Sequence, residues 1–396
     1  MSPDPNETLD QTAVAFRAWL VARAPELEPF RHEVAGELDL AIAGFRPLQQ
    51  MLWDDGWNRL GWSPDVGGLG GTPIHRFVVM EELAAAGYMN PAMLGSVEII
   101  APMLVRFAPR LAALHIADAV RGDVVWCQGF SEPDAGSDLG SLRTKAIPDG
   151  DGFRITGQKM WSSNGHVASW CCVLARTGAP DSGYRGLTMF WLDMSAPGVR
   201  VVPTLCESGR SETAELFLDD VYVPTDHVVG EVGQGWSVVM YLMQFERGAY
   251  AWGRQAELHT HLNELVRDHN ADHNADHNAD HGDEFPADAA YIVGEAYLAL
   301  LALRSKCRDT IAELIDGRDL GPEVSVDKIL LSTAEQMITE SARRLLSPRL
   351  ELSDDDLAAR WRNRWSFSRI TTIYGGAIEV QRDLVAERVL GLPRVR

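Results

Sequence analysis

The feature that most constrains this chain is a double change of hydrophobic period. From about residue 8 to 122, apolar residues recur every three or four positions, as in AVAFRAWLVARA, FRPLQQMLWDDGW, IHRFVVMEELAAA and APMLVRFAPRLAALHIADAV. That spacing gives a helix one apolar face. GWSPDVGGLGGTP, rich in Gly and Pro, interrupts the series as a loop. Near Asp123 the pattern changes. As far as about Pro224, short β-rich runs (SWCCVLA, LTMFWLDM, VRVV, AELFLDDVYV) alternate with turns, and FRITG sets Phe153 and Ile155 against Arg154 and Thr156. Period two places alternate side chains on opposite faces of a strand; short continuous apolar runs fit strands buried on both faces. After GEVGQGW (Gly230 to Trp236) the helical period returns, over about 236–267, 286–316, 324–347 and 354–390. Helices, then strands, then helices predict an α+β protein with a helical domain over 1–122, an antiparallel barrel or sandwich over 123–232, and a helical domain over 233–396.

Charge and cysteine usage narrow the partners. The net charge of −20 repels nucleic acid and anionic lipid, so neither is expected as a partner, and an anionic substrate requires a local cluster of Arg or Lys. The five cysteines form no C-x-x-C pair and are odd in number, which suggests neither a zinc site nor a disulfide framework and fits a reducing, cytoplasmic setting. MSPDPNETLD does not read as a signal peptide, and no apolar run is long enough for a spanning helix. One low-complexity segment stands apart: DHNADHNADHNADH, with His269, His273, His277 and His281 at spacing four. On a helix those histidines would share a face fit for a metal ion. With three Asn and no apolar anchor, the segment reads instead as solvated, without a metal.

The densest loop chemistry lies from Trp126 to His166, in WCQGFSEPDAGSDLGSLRTKAIPDGDGFRITGQKMWSSNGH. An acidic, glycine-bearing loop (EPDAGSD), a hairpin turned on PDGDG and a second polar loop (GQKMWSSNGH) follow one another. A flavin ring needs hydrogen-bond partners at its polar edge and a flat apolar neighbour on its face. Ser131 and Ser163 offer hydroxyls, Phe130 and Trp161 offer surface, and the small side chains around Gly136 allow close backbone approach. The same residues also suit an ordinary turn and a core Trp.

Taken together, these motifs resemble the acyl-CoA dehydrogenase family over nearly the whole chain. EPDAGSD and GQKMWSSNGH match its two flavin loops, GEVGQGW its entry to the C-terminal domain, IYGGAIEVQRDLVAERVLGLPR its closing segment, and LGWSPDVGGLGG and MEELAAAG its N-terminal domain. The resemblance implies a helical domain, a β-barrel domain and a C-terminal four-helix bundle, with FAD bound between the last two. It places Phe130, Ser131, Trp161 and Ser163 at the isoalloxazine ring and Ser137 near the acyl-CoA pantetheine. The implied reaction takes a proton from the carbon α to a thioester while the β-hydride leaves to flavin N5, and electrons then pass to an electron-transferring flavoprotein.

That reaction needs a base beside the α-proton and a donor to the carbonyl. Many members carry a Glu after the Tyr of the closing motif; here that position is Gly375, which offers only its N–H. Other members place the Glu on the first long C-terminal helix, and this chain has Glu246 there, in QFERGAY. On a helix Glu246 shares a stripe with Val239, Leu242, Met243, Ala249, Tyr250 and Gly253, an apolar setting that would raise its pKa toward that of a useful base. A surface pairing with Arg247 or Arg254 is the alternative. Arg247 matches a family Arg that lines the substrate pocket. The departures lie on the pyrophosphate and adenine side of FAD. The family's Arg, Phe-Gly and Gln are replaced by the repeat and GDEFPADAA, its glycine-rich turn by ARRLLSPRLELSDDD, and Thr-Ser by Ala377 and Ile378. The expectation is a homo- or hetero-tetramer, with a sister chain sharing the cofactor contacts. A non-catalytic or auxiliary subunit of such an assembly, or a flavin oxidase or monooxygenase on the same fold, are the alternatives.

Overall fold

The structure, a computed structural model, describes residues 3–31, 38–88, 91–207, 209–276 and 287–394. The chain divides into two compact units, residues 1–83 with 88–246 and residues 84–87 with 247–396. The first unit begins with α1 (Leu9–Ala22), α2 (Ala24–Leu27), α3 (Leu38–Asp54), α4 (Pro73–Ala85), α5 (Ala92–Phe107) and α6 (Pro109–Arg121). The segment APMLVRFAPRLAALHIADAV is two helices, because Pro109 has no N–H to donate and opens α6 after a non-helical Ala108. The α1 stripe predicted from AVAFRAWLVARA buries Phe16, Trp19 and Leu20, with the Phe16 and Trp57 rings edge to face at 4.9 Å. A Thr8–Gln11 capping box starts that helix.

Eight strands follow: β1 (Trp126–Gly129), β2 (Lys145–Asp149), β3 (Gly152–Ser163), β4 (Trp170–Arg176), β5 (Leu187–Asp193), β6 (Val199–Thr204), β7 (Thr213–Pro224) and β8 (Val228–Val229). They form one sheet in the order β6-β7-β3-β2-β4-β5-β8, with β1 on β4. Most pairings are antiparallel, as expected, but β1 and β2 run parallel to β4. The PDGDG hairpin joins β2 to β3 with Asp149 opposite Gly152 and Gly150 at φ 60°. Phe153 and Ile155 enter a core with Val173, Phe190, Leu216 and Val221, while Arg154 and Thr156 stay half-buried. The continuous apolar runs of β4 and β5 are buried on both faces. His115 of α6 packs on Trp170 and Trp191, at ring distances of 4.4 and 5.8 Å. Helix α7 (Gly235–Arg247) then begins against β5, where a Cβ on Gly235 would meet the Leu187 backbone at 2.7 Å.

The second unit holds α8 (Ala249–Asp276), α9 (Ala287–Ile315), α10 (Ser325–Leu345), α11 (Arg349–Leu352), α12 (Asp356–Ile370) and α13 (Ile378–Leu384). Helix α10 packs on α8, α9 and α12, and α8 on α9, which is the predicted four-helix arrangement. Two predicted long helices are interrupted. The 236–267 segment breaks at Gly248, the weakest helix former available besides Pro, so the stripe around Glu246 is divided between α7 and α8. The 354–390 segment breaks after Ile370, where Gly375 and Gly376 take φ of 63° and 101°. Among the described residues no helix is long and apolar enough to cross a membrane.

The two sequence departures meet in this unit. Asp268, in the first repeat, accepts from Arg360 at 2.8 Å and from the Trp361 indole at 2.7 Å; Asp272 pairs with Arg349 at 2.7 Å; His269 Nδ1 donates to the Leu345 carbonyl at 3.2 Å. The side chains of His273, His277 and His281 lie outside the described residues, and no metal-binding group of three occurs among the described ones. Asp355 caps α12 by accepting the Ala358 N–H at 2.8 Å, and also accepts from Ser353 and Arg349. Those bonds, the Ala358 N–H first, hold its pKa down at about 2 against an ordinary 3.8. A depressed carboxyl stabilises the fold above its unfolded value and loses that contribution as pH falls toward its folded value. Acid unfolding of Asp355→Asn is therefore expected to have a shallower pH dependence between about 4 and 2 than wild type, read by circular dichroism.

Candidate active site

The stretch Trp126–His166 runs through β1, β2 and β3 of the first unit and carries two polar segments between and along them. Chain entering from β1 reaches Phe130 and Ser131, then turns tightly at EPDA, where Glu132 and Ala135 exchange backbone bonds of 2.9 and 3.1 Å. The loop then passes Ser137, exposed, and is knitted by the buried Arg176, which donates to the carbonyls of Gly140 at 2.7 Å and Leu142 at 3.1 Å. A Cβ built on Gly136 meets nothing within 4 Å, so this part of the loop faces open space.

GQKMWSSNGH is mostly strand, not the loop its polarity predicts: Gly157 to Ser163 continue β3. The pairing with β7 slips between Lys159 and Ser162, and Trp161 sits in the slip at φ 59° with 58% of its surface exposed. A bulge re-aims the side chain it carries, and a non-glycine residue in the left-handed region stores strain of a kind that clusters at functional sites. Polar composition hid the strand because its outward residues have no apolar layer above them. The two segments touch directly, since the Met160 N–H donates to the Ser131 carbonyl at 2.9 Å. Phe130, Ser131, Trp161 and Ser163 are thus carried by adjoining backbone. Phe130 is buried, and Ser163 is exposed. Among the described residues neither the N–H nor the hydroxyl of Ser131 has a protein partner. These open donors beside an exposed indole fit the polar edge and flat face of a flavin ring.

The sequence did not point to the pair that joins these segments. Lys159, fully buried on β3, donates to the Phe130 carbonyl at 3.0 Å and to Glu132 at 2.8 Å. Burial pushes the Lys159 ammonium down to about 8, against the upward pull of Glu132. Burial also pushes the Glu132 carboxyl up, but the Lys159 charge and bonds from Lys159, Thr144 and Arg143 outweigh it, so Glu132 stays below its usual range. Both groups move down, which favours the charged carboxylate and disfavours the charged ammonium: Glu132 accepts two backbone N–H groups besides Lys159, while burial outweighs the partners of Lys159.

Glu246 ends the part of α7 that belongs to the first unit. One of its carboxylate oxygens is sealed from solvent. The Cys172 thiol on β4, raised well above its ordinary value chiefly by burial and then by Cys127, is raised further by the charge of Glu246. The charge of Glu246 is thus felt on β4, the strand that pairs with β1. In the second unit Arg247 Nε donates to the Gly375 carbonyl at 3.4 Å, and Tyr250 and Tyr374 bring their hydroxyls to 3.4 Å. Among the described residues the Gly375 N–H has no protein acceptor. Arg254, the other cation weighed for Glu246, is committed to Glu257 and Glu335. The same unit has a groove of about 590 Å³ with Arg344, Arg369 and Arg382 set against Glu295 and Glu340, a local cationic excess on an acidic chain.

Comparison with known proteins fits this geometry. The acyl-CoA dehydrogenase N-terminal, middle and C-terminal domain models match residues 21–110, 127–221 and 233–390 in that order. The acyl-CoA dehydrogenase IpdE1 of Mycobacterium tuberculosis is 35% identical over 361 residues, 88% of each chain. A cyclohexane-1-carbonyl-CoA dehydrogenase of Geobacter metallireducens is 29% identical over 381 residues, 90% of this chain and 91% of its own. The solved structure of the Tcur3481-Tcur3483 steroid ACAD is similar at a TM-score of 0.80 and 25% identity, over 99% of this chain and 100% of its own. With three domain models in register and a relative at that identity across most of both chains, this chain belongs to the acyl-CoA dehydrogenase family.

Proposed function

We propose that the chain is an FAD-dependent acyl-CoA dehydrogenase that desaturates a CoA thioester between its α and β carbons. Glu246 carries this reading: it is a carboxylate with one oxygen sealed from solvent, in the unit that also bears both ring segments. Glu246 takes the α-proton. A partly desolvated carboxylate is a stronger base than one in water, since burial disfavours its charge. The N–H of Gly375 donates to the thioester oxygen, and Arg247, bonded to the Gly375 carbonyl in the following peptide, steadies that residue. Phe130, Ser131, Trp161 and Ser163 hold the isoalloxazine ring, and Ser137 lies by the pantetheine arm. FAD supplies the acceptor for the β-hydride; the protein orients, desolvates and polarises.

In this reading the chain has three domains, 1–122, 123–232 and 233–396. It works in the cytoplasm, passes electrons to an electron-transferring flavoprotein, and assembles as a tetramer with copies of itself or a sister chain. The loss of the family's pyrophosphate motifs supports a sister chain, and the groove with three arginines supports a phosphate-bearing group near the second unit. Relatives named for cyclohexane-1-carbonyl-CoA and for steroids make a ring-bearing acyl group the first class to test.

The test is to mix the purified chain, alone and with a sister chain, with FAD, and to add a ring-bearing acyl-CoA without oxygen. The expected result is a bound flavin whose visible band bleaches as the thioester is desaturated. Colourless protein under both conditions would favour an auxiliary subunit, and oxygen consumption without an added acceptor would favour an oxidase.

A further inference from the structure

The Lys159–Glu132 pair takes no part in the proton transfer above, yet it lies where the two ring segments meet. A charged pair buried this completely costs more to desolvate than an apolar pair of the same size, so stability alone does not account for it. Its bonds all serve the first segment. The Lys159 stem runs beside β1, with its Cγ 3.5 Å from where a Cβ on Gly129 would sit, and its ammonium ends on Phe130 and Glu132. Lys159 thereby completes a run of three bonded carbonyls: its Nζ holds Phe130, while the Met160 and Ala135 N–H groups hold Ser131 and Glu132. Glu132 in turn anchors the far side of the loop, accepting the N–H groups of Arg143 at 2.6 Å and Thr144 at 2.9 Å. Lys159 is also the last regularly paired residue of β3 before the slip that carries Trp161: Lys159 faces Leu216, and the next paired residue is Ser162. One side chain therefore fixes both the carbonyl before Ser131 and the start of the bulge that presents Trp161.

We propose that Lys159 and Glu132 are positioning residues for the cofactor: a buried strut that sets the spacing between the Phe130–Ser131 segment and the Trp161–Ser163 segment, and so the fit of the flavin ring. The assignment rests on reading those segments as the ring site. Without the strut each segment keeps its own strand but loses its register to the other, and the ring is held loosely.

The experiment uses the full chain with FAD as the probe, together with a sister chain if one is needed for binding. Lys159→Met keeps the stem and removes the charge and both donors; Lys159→Arg restores charge and donors. Lys159→Met is expected to weaken FAD binding by about tenfold or more, the scale of losing a buried charged hydrogen bond. It is also expected to blur the structured visible band of bound flavin and raise its fluorescence, with Lys159→Arg recovering part of each. A Lys159→Met protein that unfolds at lower temperature but binds FAD with wild-type affinity and spectrum shows a merely structural pair and overturns the assignment. If Lys159→Met does not fold, Glu132→Gln is read in the same way, and if neither folds the pair is a folding determinant and the assignment falls. Wild type that binds no FAD under any of these conditions sinks the flavin reading itself, and this assignment with it; wild type that binds while the variants match it sinks only the strut.

Discussion

Glu246→Gln is expected to bind FAD with the wild-type affinity and spectrum and to lose about 10²- to 10⁴-fold in kcat, the range typical for removing a general base. The amide has the same shape and still accepts a hydrogen bond, so the fold and the ring site are untouched. It does not accept the α-proton at neutral pH. The expected loss lies toward the upper end because Gly375, the other position weighed for a base, has no side chain to stand in. The loss should fall on anaerobic flavin reduction by the thioester, measured in a single turnover, and not on substrate affinity. Reduction at the wild-type rate would remove Glu246 from the mechanism and leave the flavin reading standing.

The largest stability effect is expected in the first unit, at Arg76 and Glu98. The two side chains are almost wholly buried and meet through paired bonds of 2.7 Å. Arg76 also donates to the Leu60 carbonyl at 2.8 Å and lies 3.9 Å over the Trp62 ring. Removing one partner leaves the other charge buried and uncompensated, which costs about 3–5 kcal/mol. Glu98→Ala should therefore lower the denaturant midpoint sharply with little change in the slope of the transition. The double variant Arg76→Met with Glu98→Leu should recover most of that loss, because an apolar pair carries no desolvation penalty. If the single variant unfolds like wild type, the pair is more hydrated than its burial indicates.

Much of the architecture is legible in the sequence because the hydrophobic period is a local property. The switch near Asp123 and the return near Trp236 mark the β-sheet and the later helices, and Phe153 and Ile155 point inward as their alternation requires. The misses have physical reasons. Pro109 and Gly248 end helices inside runs whose apolar period continues across them, so periodicity overrides the break when read alone. GQKMWSS reads as a loop because a strand interrupted by a bulge, with polar residues outward, has no alternation to detect. The parallel pairing of β1 and β2 with β4 depends on which distant segments become neighbours, and no local signal reports it.

The candidate site divides in the same way. The sequence by itself determined the family, the order of elements and the residues proposed for the ring, since those are written in contiguous motifs such as EPDAGSD and in local periodicity. Only the tertiary structure decided that Trp161 stands exposed on a bulge, that Arg247 bonds to the Gly375 carbonyl, that one Glu246 oxygen is sealed from solvent, and that Lys159 ties the Phe130–Ser131 segment to β3. Lys159 in a sequence is a cation that belongs in water. What makes it a buried strut is the meeting of β1, β3 and the EPDA turn, which puts a carbonyl and a carboxylate within reach of an ammonium that would otherwise be too costly to bury.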